Sequence, residues 1–129
     1  MTTDDDRIAE YENRLAEVYQ PELDLLASRL KVSGEIVNTG GGCMAIEATL
    51  GQVSGTDHPL VLTVTTVDAG LAEERDEIVH WYACLYDGEE GGEALADGHD
   101  LKSFDTACNL ALDNLRQGIP PSDTLCSCL

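Results

Sequence analysis

The stretch 35–50 reads E-I-V-N-T-G-G-G-C-M-A-I-E-A-T-L, and its pattern predicts a β-hairpin that organises the fold. Two short apolar runs flank the turn N-T-G-G-G at residues 38–42. Glycine has no Cβ and reaches positive φ at little cost, so a run of glycines lets the chain reverse there. We therefore expect a strand over 32–38 and a second strand over 43–50.

Two more strands are predicted further along the chain. The run L-V-L-T-V-T-T-V at 60–67 is dense in β-branched residues, which suits a central strand. The run I-V-H-W-Y-A-C-L-Y at 78–86 follows, and alternation places Val79, Trp81, Ala83 and Leu85 on one side of that strand. We expect residues 87–100, which are rich in Gly, Asp and Glu, to form a flexible acidic loop.

Helices are predicted at both ends of the chain. Thr2, Thr3 and the aspartates at 4–6 suit a helix start, and apolar residues follow at helical spacing as far as Tyr19. Pro21 lacks the N–H donor of a helix interior, so we expect a break near Gln20 and a restart. A last helix has a cap at Asp100 or Ser103 and ends at Gly118, and its apolar stripe is Phe104, Cys108, Ala111, Leu112 and Leu115.

The fold class that follows is α+β. The predicted architecture is a four-stranded antiparallel meander with N-terminal and C-terminal helices, in the order α-β-β-β-β-α. We expect a single domain over residues 1–121, since 129 residues suffice for one hydrophobic core. Residues 122–129 are predicted to be a flexible tail.

Charge is the strongest feature of the composition. The chain has 25 acidic and 7 basic side chains, for a net charge of −18. Most of the excess lies in residues 1–25 and 68–100. A phosphate backbone would be repelled, and no cluster of Lys or Arg exists to bind one. The sequence therefore predicts no direct binding of nucleic acid. A basic protein partner suits this charge, although high charge also serves solubility alone.

The cysteines and the hydropathy pattern indicate the cellular compartment of the protein. Five cysteines are an odd number, and reduced thiols are expected in a chain without an export signal. No stretch approaches the roughly 20 apolar residues that a membrane span requires. We predict a cytoplasmic protein that does not interact with membranes.

No motif for a cofactor, a metal or a catalytic group is complete. The glycine turn at 40–42 precedes a strand and no Lys-Ser or Lys-Thr follows it, which excludes a P-loop. His80 and Cys84 share one strand face, but four residues of strand span about 13 Å, too far for one ion. No cofactor, metal or catalytic residue is therefore predicted. A pocket near His80, Tyr82 and Cys84 remains an alternative for a small-ligand-binding or enzymatic domain.

Three segments carry a resemblance to a group of proteins. They are N-T-G-G-G-C-M-A-I-E-A, L-V-L-T-V-T-T-V-D-A-G-L and W-Y-A-C-L-Y-D-G-E. Their order and turns resemble small acidic uncharacterised proteins of actinobacteria and their phages. The resemblance covers about residues 35–90, and it implies a phage-linked accessory protein with no assigned activity.

The function predicted from the sequence is a non-enzymatic accessory or protein-interaction protein that acts through an acidic surface on a host or defence component. One alternative is a nucleic-acid mimic that binds a basic DNA- or RNA-binding protein. A homodimer through an exposed sheet edge is a further alternative. The predicted partner-binding residues are Asp87, Glu89, Glu90, Glu93, Asp97 and Asp100.

Overall fold

The computed structural model describes residues 4–40, 43–67, 70–89 and 94–121. The helices are α1 (Asp4–Val18), α2 (Gln20–Leu25) and α3 (Phe104–Gln117), with a π-helical turn at Leu26–Leu30 and a 3₁₀ turn at Arg75–Glu77. The strands are β1 (Glu35–Gly40), β2 (Cys43–Gln52), β3 (Pro59–Thr65), β4 (Trp81–Asp87) and β5 (Ala94–Asp100). The predicted tail at 122–129 lies outside the described residues.

The five strands form one antiparallel sheet in the order β1-β2-β3-β4-β5. The α+β class, the antiparallel sheet and the hairpin of β1 with β2 are confirmed. The predicted number of four strands is wrong, because residues 94–100 form a strand where an acidic loop was expected. Asp and Gly are poor strand formers, but pairing with β4 and packing against α3 override that local preference.

The predicted break at Pro21 is confirmed. The predicted order with a single helix before the sheet is wrong, because the break divides the N-terminal region into two helices. Helix α1 ends at Val18, and Tyr19 leaves helical geometry at φ −101° and ψ 16°. Helix α2 then begins at Gln20 with Pro21 in its first turn, where the missing N–H costs little. Two helices therefore precede the sheet and one follows it.

Helix α3 forms as the sequence predicts. The hydroxyl of Ser103 accepts a hydrogen bond from the Thr106 N–H, and Gly118 ends the helix at φ 71°. One side of α3 contacts β5 very closely. A Cβ on Gly98 would clash with the carbonyl oxygen of Ala107 and lie 2.5 Å from the Ala111 nitrogen. Glycine is therefore needed where α3 crosses β5.

The core lies between the helices and one face of the sheet. Trp81 on β4 contacts Tyr19 and Phe104 edge-on, with ring centroids 6.0 and 5.6 Å apart. Because Tyr19 follows α1 and Phe104 begins α3, this indole joins both helical layers on the same sheet face. The residues buried around it include Leu15, Leu26, Ile46, Leu62, Val64, Leu85 and Ala107. None of the helices in the described part of the chain has the length and apolarity of a membrane span.

Candidate interaction surfaces

The residues of the predicted acidic loop do not form one exposed surface, because some of them make contacts within the fold. Asp97 lies on β5 and is only 8% exposed, and its Oδ2 accepts a 2.9 Å hydrogen bond from the Tyr82 hydroxyl. Asp100 accepts hydrogen bonds from the backbone N–H groups of Lys102 and Ser103, which leads the chain into α3. Both carboxylates therefore support the fold. Glu90 and Glu93 lie outside the described residues.

Asp87 ends β4 and is held by two neighbours. Its Oδ2 lies 3.0 Å from Nδ1 of His58, and its Oδ1 accepts a hydrogen bond from the Glu89 N–H. The hydrogen bond with Asp87, together with the charges of Glu89 and Asp57, raises the pKa of His58. The same contact lowers the pKa of Asp87. This cluster links the β2–β3 loop to the end of β4.

The sheet face opposite the helices, which we call the open face, carries a row of polar residues. The strand register sets Glu35 opposite Glu47, Glu47 opposite Thr63, Thr63 opposite Cys84, and Cys84 opposite Asp97. The row thus crosses all five strands and contains three carboxylates. None of the strand sequences contains Lys or Arg.

Cys84 is enclosed on the open face by its own neighbours. The thiol is 2% exposed, and burial raises its pKa despite hydrogen bonds with Tyr86 and Tyr82. Burial also raises the pKa of Tyr86 to about 12. A thiol that is neutral and inaccessible is a poor nucleophile. The structure therefore places Tyr82 and Cys84 together as expected but gives the thiol no activating environment.

His80 lies just before β4 and is fully buried. Its ring centroid is 5.4 Å from that of His99 on β5, so the two imidazoles are close neighbours. No group of three or more His, Cys, Asp or Glu side chains in the described ranges could hold a metal ion. A buried imidazole of this kind is not directly accessible to a substrate in solution.

A cavity of about 270 Å³ lies between the π-helical turn and the start of α3. Leu26, Leu30 and Phe104 form part of its apolar wall, and Arg29 and Asp105 form an ion pair beside it. Cys108 also lines it, and burial raises the pKa of that thiol to about 12. The cavity therefore contains no activated nucleophile.

The segment 71–77 is attached to the N-terminal helices by buried hydrogen bonds of Tyr19 and by a half-exposed ion pair of Arg75. The Tyr19 hydroxyl donates to the carbonyl oxygen of Ala72 at 2.8 Å and lies 2.8 Å from the Thr66 hydroxyl, which in turn accepts from the Ala72 N–H. Arg75 donates to Glu22 Oε1 at 2.8 Å, to Oε2 at 3.0 Å and to the Val18 carbonyl at 2.8 Å. These contacts join the two acidic stretches of the sequence.

Four side chains of residues 71–77 are exposed carboxylates, and we call these residues, Glu73, Glu74, Asp76 and Glu77, the acidic segment. Arg75 is the only cation within residues 71–77, and its hydrogen bonds direct it towards Glu22. Glu73 is close enough to α1 to contribute, after burial, to the raised pKa of Tyr11. The acidic segment therefore presents negative charge that no cation of its own compensates.

Comparison of the chain with models of protein families, with curated proteins and with solved structures found no match. The resemblance to small acidic actinobacterial and phage proteins therefore stays a prediction. The sequence indicated an excess of negative charge within residues 68–100, but it gave no sign that Arg75 in this stretch would attach to α2. A single arginine within a run of acids was the one available signal for an internal ion pair.

Proposed function

We propose that this protein is a non-enzymatic interaction protein that binds a basic protein partner through the acidic segment and the neighbouring surface of α1. The observation that carries the proposal is the direction of Arg75. Its guanidinium pairs with the buried Glu22 carboxylate, so no cation within residues 71–77 is left to compensate the four exposed carboxylates.

The charges elsewhere support this assignment. Arg29 pairs with Asp105 and Arg116 pairs with Asp113, so two more of the few basic side chains are held in intramolecular ion pairs. A surface field of one sign accelerates association with an oppositely charged protein and disfavours partners of the same sign. The rigid attachment of residues 71–77 fixes these charges before binding, which lowers the entropy lost in the complex.

The environments of the two thiols that the structure describes favour a binding role over catalysis at those positions. Cys84 and Cys108 both have raised pKa values, where a nucleophilic thiol needs a lowered one. His58 is held in an ion pair with Asp87 at the opposite end of β3 from the acidic segment. The proposed function therefore rests on surface charge.

The test is affinity capture from a lysate of the native host, with the purified protein immobilised. A double variant, Glu74→Gln with Glu77→Gln, removes two charges from the acidic segment, and we expect it to lose the captured protein. The matched control, Asp57→Asn with Asp113→Asn, removes one exposed charge from the β2–β3 loop and one from α3, and it should retain the captured protein. Equal capture by wild type and the Glu74/Glu77 variant, or loss in the control alone, would overturn the proposal.

A further inference from the structure

We propose that the open face of the sheet is a second contact surface for the same partner, and that it receives an arginine-bearing segment of that partner. This inference rests on the proposed function, because it specifies the chemistry of the partner. It concerns a different part of the molecule, on the side of the sheet away from the helices.

The helices of the described ranges do not cover the open face of the sheet. Trp81, Leu85 and Gly98 lie on the helix side, where α1 and α3 pack. Strand alternation then directs Glu47 and Thr63 to the opposite side. No helix in the described ranges packs against that side, so it is a sheet face without a helical partner.

The open face is negatively charged. Glu35 and Glu47 lie directly opposite each other on β1 and β2, and like charges in such a pair destabilise a sheet. Neither carboxylate has a hydrogen bond or an ion pair with another described residue. The strands supply no Lys or Arg to this pair, so both carboxylates are open to a cationic group of another molecule.

The spacing of the two opposed carboxylates suits an arginine side chain. Directly opposite residues have Cβ atoms about 5 Å apart, so one planar guanidinium can bridge both carboxylates with paired hydrogen bonds. Val61 and Thr63, on the neighbouring strand, are partly buried and offer a surface for the aliphatic stem of the arginine. A carboxylate pair beside a half-apolar floor therefore suits arginine better than a small inorganic cation.

A second copy of this chain is a poor occupant for the same face. Each copy carries a net charge of −18, and the open face would bring further carboxylates together. Charge complementarity therefore favours a basic segment of another protein.

The test is nuclear magnetic resonance of the full chain, titrated with a blocked heptapeptide of alternating glycine and arginine. We expect amide shifts at Glu35, Glu47 and Thr63. The double variant Glu35→Gln with Glu47→Gln should weaken binding about tenfold, as expected for the loss of a bidentate ion pair. The Asp57→Asn/Asp113→Asn control should bind within about twofold of wild type, and a heptapeptide with glutamate in place of arginine should cause no shifts.

The outcomes separate this inference from the proposed function. Shifts confined to the acidic segment and α1 would overturn the inference and leave the proposed function in place. An unchanged affinity of the Glu35/Glu47 variant would also overturn it, provided that its spectrum away from the substitutions matches the folded wild type. Loss of capture from host lysate by the Glu74/Glu77 variant is measured independently, so failure of one proposal is distinguishable from failure of the other.

Discussion

Arg75 and Glu22 lie 53 residues apart in the sequence and are joined by two hydrogen bonds of 2.8 and 3.0 Å. Glu22 is 5% exposed, so its carboxylate depends on this partner for compensation. The pair connects the segment after β3 to α2, and it directs the only cation of residues 71–77 towards Glu22. One contact therefore supports both the fold and the charge of the acidic segment.

Substitution of Arg75 by alanine should lower the free energy of unfolding by about 2 kcal/mol, because a largely buried carboxylate loses its charged donors while Arg75 itself is half-exposed. Urea denaturation measures the loss. Arg116→Ala is the control, since it removes an exposed ion pair with Asp113 and should cost less than about 0.5 kcal/mol. A loss for Arg75→Ala no larger than the control would show that the pair does not stabilise the fold.

Gly98→Ala should destabilise the protein by about 2–3 kcal/mol, because the new methyl group meets backbone atoms of α3 that cannot move independently. Gly55→Ala is a useful comparison. Gly55 has a φ of 79° with open space around it, so alanine there should cost only about 1 kcal/mol of backbone strain. Thermal or urea unfolding of both variants checks the order, and a harmless Gly98→Ala would contradict the close packing of α3 on β5.

The His58–Asp87 pair should stabilise the fold only while both groups are charged. The folded pKa of His58 is raised from 6.5, so its contribution is complete below that value and is lost as pH rises through the folded pKa. The folded pKa of Asp87 is lowered from 3.8, so its contribution is present above that value and is lost as pH falls through the lowered pKa.

We therefore expect His58→Asn to destabilise the protein more at about pH 5.5 than at about pH 8.5. Urea unfolding at the two pH values gives the comparison, and an NMR titration should place the pKa of His58 above its free value. Asp87→Asn should return that pKa towards the free value. An identical effect of His58→Asn at both pH values would contradict the ion pair.

Cys84 and Cys108 should resist alkylation in the native protein, because both thiols are buried and their pKa values are raised. Peptide mass spectrometry after treatment with iodoacetamide distinguishes these two cysteines from the others. Both should react readily in urea, which serves as the control. Rapid alkylation of native Cys84 would instead indicate an accessible thiolate and would contradict the enclosure of Cys84 on the open face.

Local sequence patterns predicted most of the fold. The glycine turn, the β-branched run and Pro21 each specify a conformation through their own covalent chemistry, and the elements there appear close to the predicted places. Strand β5 was missed because A-L-A-D-G-H-D has neither β-branched residues nor a clear alternation of apolar residues. Its stability comes from β4 and α3, which no local pattern reveals.

The candidate site was less predictable from the sequence. Composition indicated an acidic surface, but Asp97 and Asp100 in the predicted binding set support strand and helix ends. Which carboxylates are free depends on long-range partners such as Tyr82 for Asp97. The pairing of Arg75 with Glu22 and the opposition of Glu35 and Glu47 both require the tertiary fold.

The most direct measurement of the central claim is the salt dependence of affinity for the protein recovered by capture. If exposed carboxylates drive binding, the dissociation constant should rise steeply between about 50 and 500 mM salt, where the Debye length falls below the spacing of surface charges. The Glu74→Gln/Glu77→Gln variant should bind more weakly and show a shallower slope. An affinity that is insensitive to salt and unchanged in this variant would contradict the account.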